Sequence, residues 1–252
     1  MPRQGRKTSS TGFYHVVCRG NNKEHIFGSE ENARLYTNLL KQGIEKYQMK
    51  VYAYCIMVNH AHILIRGESE QLSAFMQHVN SIFAERYNNI CERCGHVFQG
   101  RYYRDCIEDE EYFWCCMRYI HNNPVKIDMV KNPYEYLFSS AREIYTGKLY
   151  LIDKESYRMV LRKFENKPDF WAFHRLYENK SFFDTVEDMR THNHMRVINC
   201  MTRYMFDHRL DEISTLMTIG EYHEEFIEYC IQETNLSRYK IENILKMAQK
   251  RD

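Results

Sequence analysis

His60 and His62 stand one residue apart in the otherwise apolar run MVNHAHILI, residues 57–65. In a β-strand, residues i and i+2 project from the same face, so the two imidazoles point together while Ala61 points back into the sheet. Two imidazoles so placed can bind one divalent cation and leave room for a third ligand and for substrate oxygens. Paired histidines in strands also serve as hydrogen-bonded surface residues, and the pair alone does not choose between the two. A second constellation lies about sixty residues on, in MRYIHNNPVK. Tyr112, Cys116 and Tyr119 share one helical stripe, and Asn123 follows one turn after Tyr119. A phenol and an amide on one face could set a nucleophilic oxygen beside a third metal ligand. From spacing alone, Tyr119 reads equally as one more packed aromatic and Asn123 as a C-terminal cap.

The elements that must position these groups follow from hydrophobic periodicity. Residues 12–18 read as a β-branched and aromatic strand, and Ser29 as the N-cap of an amphipathic helix ending near Tyr47. VYAYCIMV and HAHILI read as two strands that bend at Asn59, and residues 69–90 as a long helix. CGHVFQGRYYRDCI reads as a turn plus strand. The acidic EDEE, Glu108 to Glu111, starts a helix whose dipole it complements. That helix is expected to stop near Asn122, ahead of Pro124. The order strand–helix–strand–strand–helix–strand–helix predicts an α+β sandwich with a mainly antiparallel sheet. Beyond Gly147 strand signals fade and charged helical patterns run to Asp252, which places a domain boundary at 148/149. Residues 149–252 then form a helical region, with a helix-turn-helix pattern around Asn235.

Composition narrows the partners. The chain has 252 residues, 44% hydrophobic and 27% charged, with a formal net charge of +1, so no strong global attraction to nucleic acid or membrane is expected. The charge is uneven: Arg3, Arg6, Lys7, Arg19 and Lys23 face a single acid, Glu24, before residue 28. That start reads as a solvated tail or as an arm against phosphates. Nine scattered cysteines fit a reducing compartment, and with no leader and no apolar run of membrane-spanning length the expectation is a soluble cytoplasmic protein. The Cys91–His96 segment CERCGH lacks the second ligand pair of a structural zinc site.

Four segments, YCIMVNHAHILI, VFQGRYYRDCIEDEEYF, RYIHNNPVKIDMVKNPYEYLFSS and YTG, occur in this order. Together they resemble the single-tyrosine HUH transposases, especially the REP-associated tyrosine transposases, over roughly Gly12 to Gly147. The resemblance implies a ferredoxin-like α+β fold, an antiparallel sheet with helices on one face, followed by a C-terminal helical extension. It also implies a metal-dependent strand transferase that cleaves and rejoins single-stranded DNA through a 5′-phosphotyrosine, at hairpin-flanked ends. Tyr119 becomes the nucleophile, His60, His62 and Asn123 the ligands of Mg²⁺ or Mn²⁺. Val58 departs from the proline usual before Asn59. Arg19, Asn21, Arg101, Tyr102 and Arg104 are candidate DNA contacts, the last three against the alternative of a sheet edge with snorkelling arginines. The competing functions are an HUH replication initiator or relaxase and a domesticated DNA- or RNA-binding regulator that does not cut. Monomer and homodimer stay open.

Overall fold

The computed structural model describes residues 7–176, 181–210, 216 and 220–248. Arg3 and Arg6 of the basic start lie outside the described residues. The chain divides into two compact units, Met1–Asp184 and Thr185–Asp252.

The first unit is built on four strands, β1 (Phe13–Arg19), β2 (Lys50–Ile56), β3 (His60–Arg66) and β4 (Tyr103–Ile107), in the order β2-β3-β1-β4. Every pairing is antiparallel. Helix α1 (Glu30–Tyr47) connects β1 to β2, and α2 (Ser69–Ile90) connects β3 to β4. This βαββαβ path with that strand order is the ferredoxin-like arrangement expected. Ser29 caps α1, its hydroxyl accepting from the Asn32 N–H at 3.1 Å, as its position before the apolar period predicts.

The register sorts side chains between two faces. His60 pairs with Arg19, His62 with Val17, and Leu64 with His15, so these residues share one face, while Tyr14, Val16, Cys18, Ala61 and Ile63 share the other. The second face carries α1 and α2: Tyr36 donates to Asn80 Oδ1 at 2.9 Å, and Asn80 Nδ2 donates to Cys18 Sγ at 3.3 Å. The histidine face, which the sequence reading left without a helix, is covered by α3 (Glu110–Lys126), through contacts such as Phe113 edge-on to Phe13 at 5.2 Å. Asp109 caps α3 by accepting from the Tyr112 N–H. The helix passes through Pro124 and ends at Lys126, not at Asn122 as expected. Proline removes one backbone bond, but Ile120, His121 and Pro124 are all buried, and that packing holds the last turn together.

Residues beyond 148 continue to pack on this unit, so the division falls at 184/185 and not at 148/149. Helix α4 (Ser140–Thr146) presents buried Glu143, whose carboxylate accepts N–H bonds from Tyr150 at 2.8 Å, Leu151 at 3.1 Å and Ile152 at 3.3 Å. Helix α5 (Lys154–Lys163) is tied to β2 by Ser156, whose hydroxyl donates to the Tyr52 carbonyl at 2.7 Å. Val160 of α5 and Phe170 of α6 (Lys167–His174) join the same core. The second unit contains α7 (Val186–Asp207), α8 (Glu221–Thr234) and α9 (Arg238–Ala248) around Val197, Phe226, Ile227, Ile241 and Leu245. Helices α8 and α9 meet through Asn235 in the left-handed conformation. No helix among the described residues is long and apolar enough to cross a membrane.

Two features of this packing are testable. A Cβ on Gly43 of α1 would meet Phe75 Cε2 at 2.7 Å and Val79 Cγ2 at 3.0 Å, so the α1–α2 approach requires the missing side chain. Gly43→Val is expected to destabilise the unit by about 2–3 kcal/mol through overpacking. A lowered urea midpoint checks this, and an unchanged one would mean that the helices do not approach so closely. The second feature is a buried imidazole pair, His121 Nδ1 against His174 Nε2 at 2.8 Å. Burial holds His121 well below the usual histidine range and lowers His174 to about 4. Below pH ~6.5 the unfolded chain takes up protons that the folded pair refuses, so stability is complete above that pH. It is lost on acidification toward pH ~4, at up to ~1.4 kcal/mol per pH unit for each histidine. Urea midpoints at pH 7 and 5 test this, and equal midpoints would show that the pair charges without unfolding.

Candidate active site

Both histidines rise from β3 toward α3. His60 is 14% exposed at its side chain and His62 is fully buried. Asn59 Oδ1 lies 2.6 Å from His60 Nδ1. An amide oxygen can only accept, so Nδ1 carries the proton and Nε2 keeps its lone pair in the neutral ring. His62 Nδ1 lies 3.1 Å from His15 Nε2, and His15 is itself buried on β1. This contact lets the inner nitrogen of His62 donate and leaves Nε2 facing the site. Burial lowers His15 to about 3, and burial together with the neighbouring His60 and His15 holds His62 well below the ordinary range. His62 is held in the uncharged state that a metal ligand requires.

Helix α3 brings Tyr119 across from this pair, its ring edge-on to His62 with centroids 5.3 Å apart. Because the helix continues past Asn122, Asn123 stays one turn from Tyr119 and its Nδ2 donates to the Tyr119 carbonyl at 2.9 Å. The Asn123 amide also acts on both reactive groups, raising the His62 pKa and lowering that of Tyr119. The net shift of Tyr119 is nonetheless strongly upward, caused first by burial and then by the Asp184 carboxylate. Lys126 Nζ sits 4.2 Å from the centre of the Tyr119 ring.

Residues 181–184 complete the site. Tyr119 Oη donates to Asp184 Oδ1 at 3.3 Å. The same oxygen lies 3.5 Å from His62 Nε2, and Asp184 Oδ2 lies 4.0 Å from His60 Nε2. One donor atom from each of His60, His62 and Asp184 falls within 4.8 Å of the others, a spacing that could hold a metal ion. The fully buried His62 Nε2 makes no hydrogen bond among the described residues, and a buried nitrogen in that position suits a ligated cation. Phe182 stacks on Tyr119 with centroids 4.5 Å apart and on Tyr112 at 5.4 Å.

His60, His62, Tyr119 and Asn123 therefore converge, and Arg19, the strand partner of His60, stands on the same face. Asn21 lies in the turn after β1, its N–H bonded to the Val97 carbonyl at 2.9 Å. The remaining candidates do not join them. Arg104 turns to the opposite face, donating to Ser69 Oγ at 2.9 Å and covering the Tyr14 ring at 4.9 Å. Tyr102 meets Ser73 of α2 at 3.3 Å, and Arg101 is exposed. His15, Phe182 and Asp184 were missed. His15 had a legible sign, since it alternates inward on a strand beside the histidine strand. Phe182 and Asp184 had none, because no spacing rule links residues more than 120 positions from His60.

The covering of Tyr119 can be checked directly. Phe182→Ala removes a stacked pair worth about 0.5–1.5 kcal/mol and opens one ring face. Nitration mapped by mass spectrometry should rise at Tyr119 in this variant, and an unchanged yield would show that Phe182 does not shield the ring.

The model of the family described as "Transposase IS200 like" matches residues 8–123, a span that holds β1 to β4, both histidines, Tyr119 and Asn123. No curated protein matches the chain. Among solved structures, a REP-associated tyrosine transposase bound to a REP hairpin is 16% identical with a TM-score of 0.48, covering 60% of this chain and 90% of that one. A Deinococcus radiodurans R1 protein assigned as a transposase is also 16% identical, with a TM-score of 0.34, covering 48% of this chain and 96% of that one. Neither likeness carries weight for function at those values. Over residues 8–123, a little under half of its length, the chain is similar to the IS200-like transposases.

Proposed function

We propose that the protein is a metal-dependent transposase that cuts and rejoins single-stranded DNA at hairpin-flanked ends through Tyr119. The observation that carries this reading is the meeting of a half-buried phenol, Tyr119, with the two imidazoles of His60 and His62, all three inside the family match. His60 and His62 would hold a divalent cation with a third donor, which the family resemblance assigns to Asn123. Two imidazoles and an oxygen donor suit Mn²⁺ better than Mg²⁺. When bound, the cation supplies Lewis-acid polarisation of the scissile phosphate.

The chain's own residues account for the rest. α3 aims the Tyr119 oxygen at the histidine pair. The Tyr119 oxygen forms the bond to phosphorus as the bond to the 3′ oxygen breaks. The departing end leaves as a hydroxyl carrying the proton that the phenol gives up, and the 5′-phosphotyrosine retains the bond for a second DNA end to reverse the step. Arg19 stands where it can meet a backbone phosphate near His60. The domesticated, non-cutting binder remains as a second reading, because Phe182 covers Tyr119 and Asp184 occupies its hydroxyl.

The deciding experiment incubates end-labelled single-stranded hairpin DNA, including the DNA flanking the gene, with Mn²⁺ and either the wild type or Tyr119→Phe. A protease-sensitive protein–DNA adduct formed only by the wild type is expected, with the variant reduced to background. Binding without adduct by both proteins would replace the transferase with the binding regulator.

A further inference from the structure

We propose that Asp184 is a ligand of the metal, the carboxylate donor that completes the His60–His62 set. This rests on the metal-site reading above and assigns to it a residue outside the family match, which ends at residue 123.

Asn59 fixes the proton of His60 on Nδ1, and the His15 contact allows the same arrangement in His62. Both Nε2 atoms face the Asp184 oxygens, at 4.0 and 3.5 Å. One donor atom from each of the three residues lies within 4.8 Å of the others, around a common point. A divalent ion at that point would attract all three donors at once. Ligand atoms bound at roughly 2.1 Å in tetrahedral or octahedral geometry lie about 3–3.5 Å apart, so the three donors, now within 4.8 Å of one another, would draw together around the ion.

Asp184 is also held in place. Phe182 lies between the Tyr119 and Tyr112 rings, and Tyr112 is anchored in turn by donating to Asp105 of β4. The carboxylate, 24% exposed, therefore projects from a fixed segment. Asn123 is the competitor for this role. Asn123 would ligate through its amide oxygen and carries no charge, whereas Asp184 contributes a full negative charge toward a 2+ ion. The plainer alternative, an aspartate that only accepts from the Tyr119 hydroxyl, explains the 3.3 Å bond but not the approach to both imidazoles.

The test is Mn²⁺ binding to the full chain without DNA, followed by electron paramagnetic resonance, together with the visible spectrum of the Co²⁺-loaded protein. Wild type, Asp184→Asn, Asp184→Glu, Asn123→Ala and His62→Ala are compared, with near-ultraviolet circular dichroism confirming that each is folded. Asp184→Asn keeps the shape and removes the charge. It is expected to weaken Mn²⁺ binding by at least the ~10–100-fold typical of losing a supporting group, and to change the Co²⁺ bands. Asp184→Glu should recover part of the affinity, which a merely structural aspartate would not require. If His62→Ala abolishes binding while Asp184→Asn binds as the wild type does, the assignment of Asp184 is overturned and the metal-site reading stands. If the wild type binds no Mn²⁺, or His62→Ala binds it equally well, both fall together.

Discussion

The pairing register between β1 and β3 is the constraint on which the site depends. With His62 opposite Val17, the two histidines and His15 fall on the face that α3 covers, and Ala61 and Ile63 fall among α1 and α2. A slip of one residue would exchange the sets, placing two imidazoles in the apolar layer under α1 and α2 and turning Ala61 and Ile63 toward α3. The burial of Ala61, Ile63 and Ile65 thus fixes the direction of the histidines as firmly as any contact that the histidines make themselves.

Around that register the site sets opposing electrostatic tendencies against one another. Burial keeps His15 and His62 uncharged, which preserves their lone pairs. The same burial, reinforced by Asp184, holds Tyr119 as a neutral phenol and a weak nucleophile. A cation between these groups would favour both the imidazole lone pairs and a developing phenolate. The groups are therefore mutually adjusted: removing the carboxylate would ease ionisation of the phenol while depriving the histidines of an oppositely charged neighbour.

Much of this was legible in the sequence, and the rest was not for identifiable reasons. Alternation around His60 and His62 and the helical stripe through Tyr119 depend on local geometry, so period alone placed them on their faces. Pro124 suggested an early stop to α3, because a local rule cannot weigh the burial of Ile120 and His121 against one lost backbone bond. The fading of strand signals after Gly147 suggested a boundary, but Glu143 binds the N–H groups that follow and keeps the chain on the first unit. Arg104 and Tyr102 have the composition of a nucleic-acid contact, yet their partners are Ser69, Ser73 and Tyr14 of the same unit. Asp184 reaches the site only through tertiary structure.

That placement defines the smallest transferable module of the protein. A segment cut where the strands and α3 end would keep both histidines and the tyrosine, but would leave one face of the Tyr119 ring bare and its hydroxyl without the Asp184 carboxylate. Any transplant of this site into another scaffold must therefore carry the chain through Asp184, some sixty residues beyond the helix that bears the tyrosine.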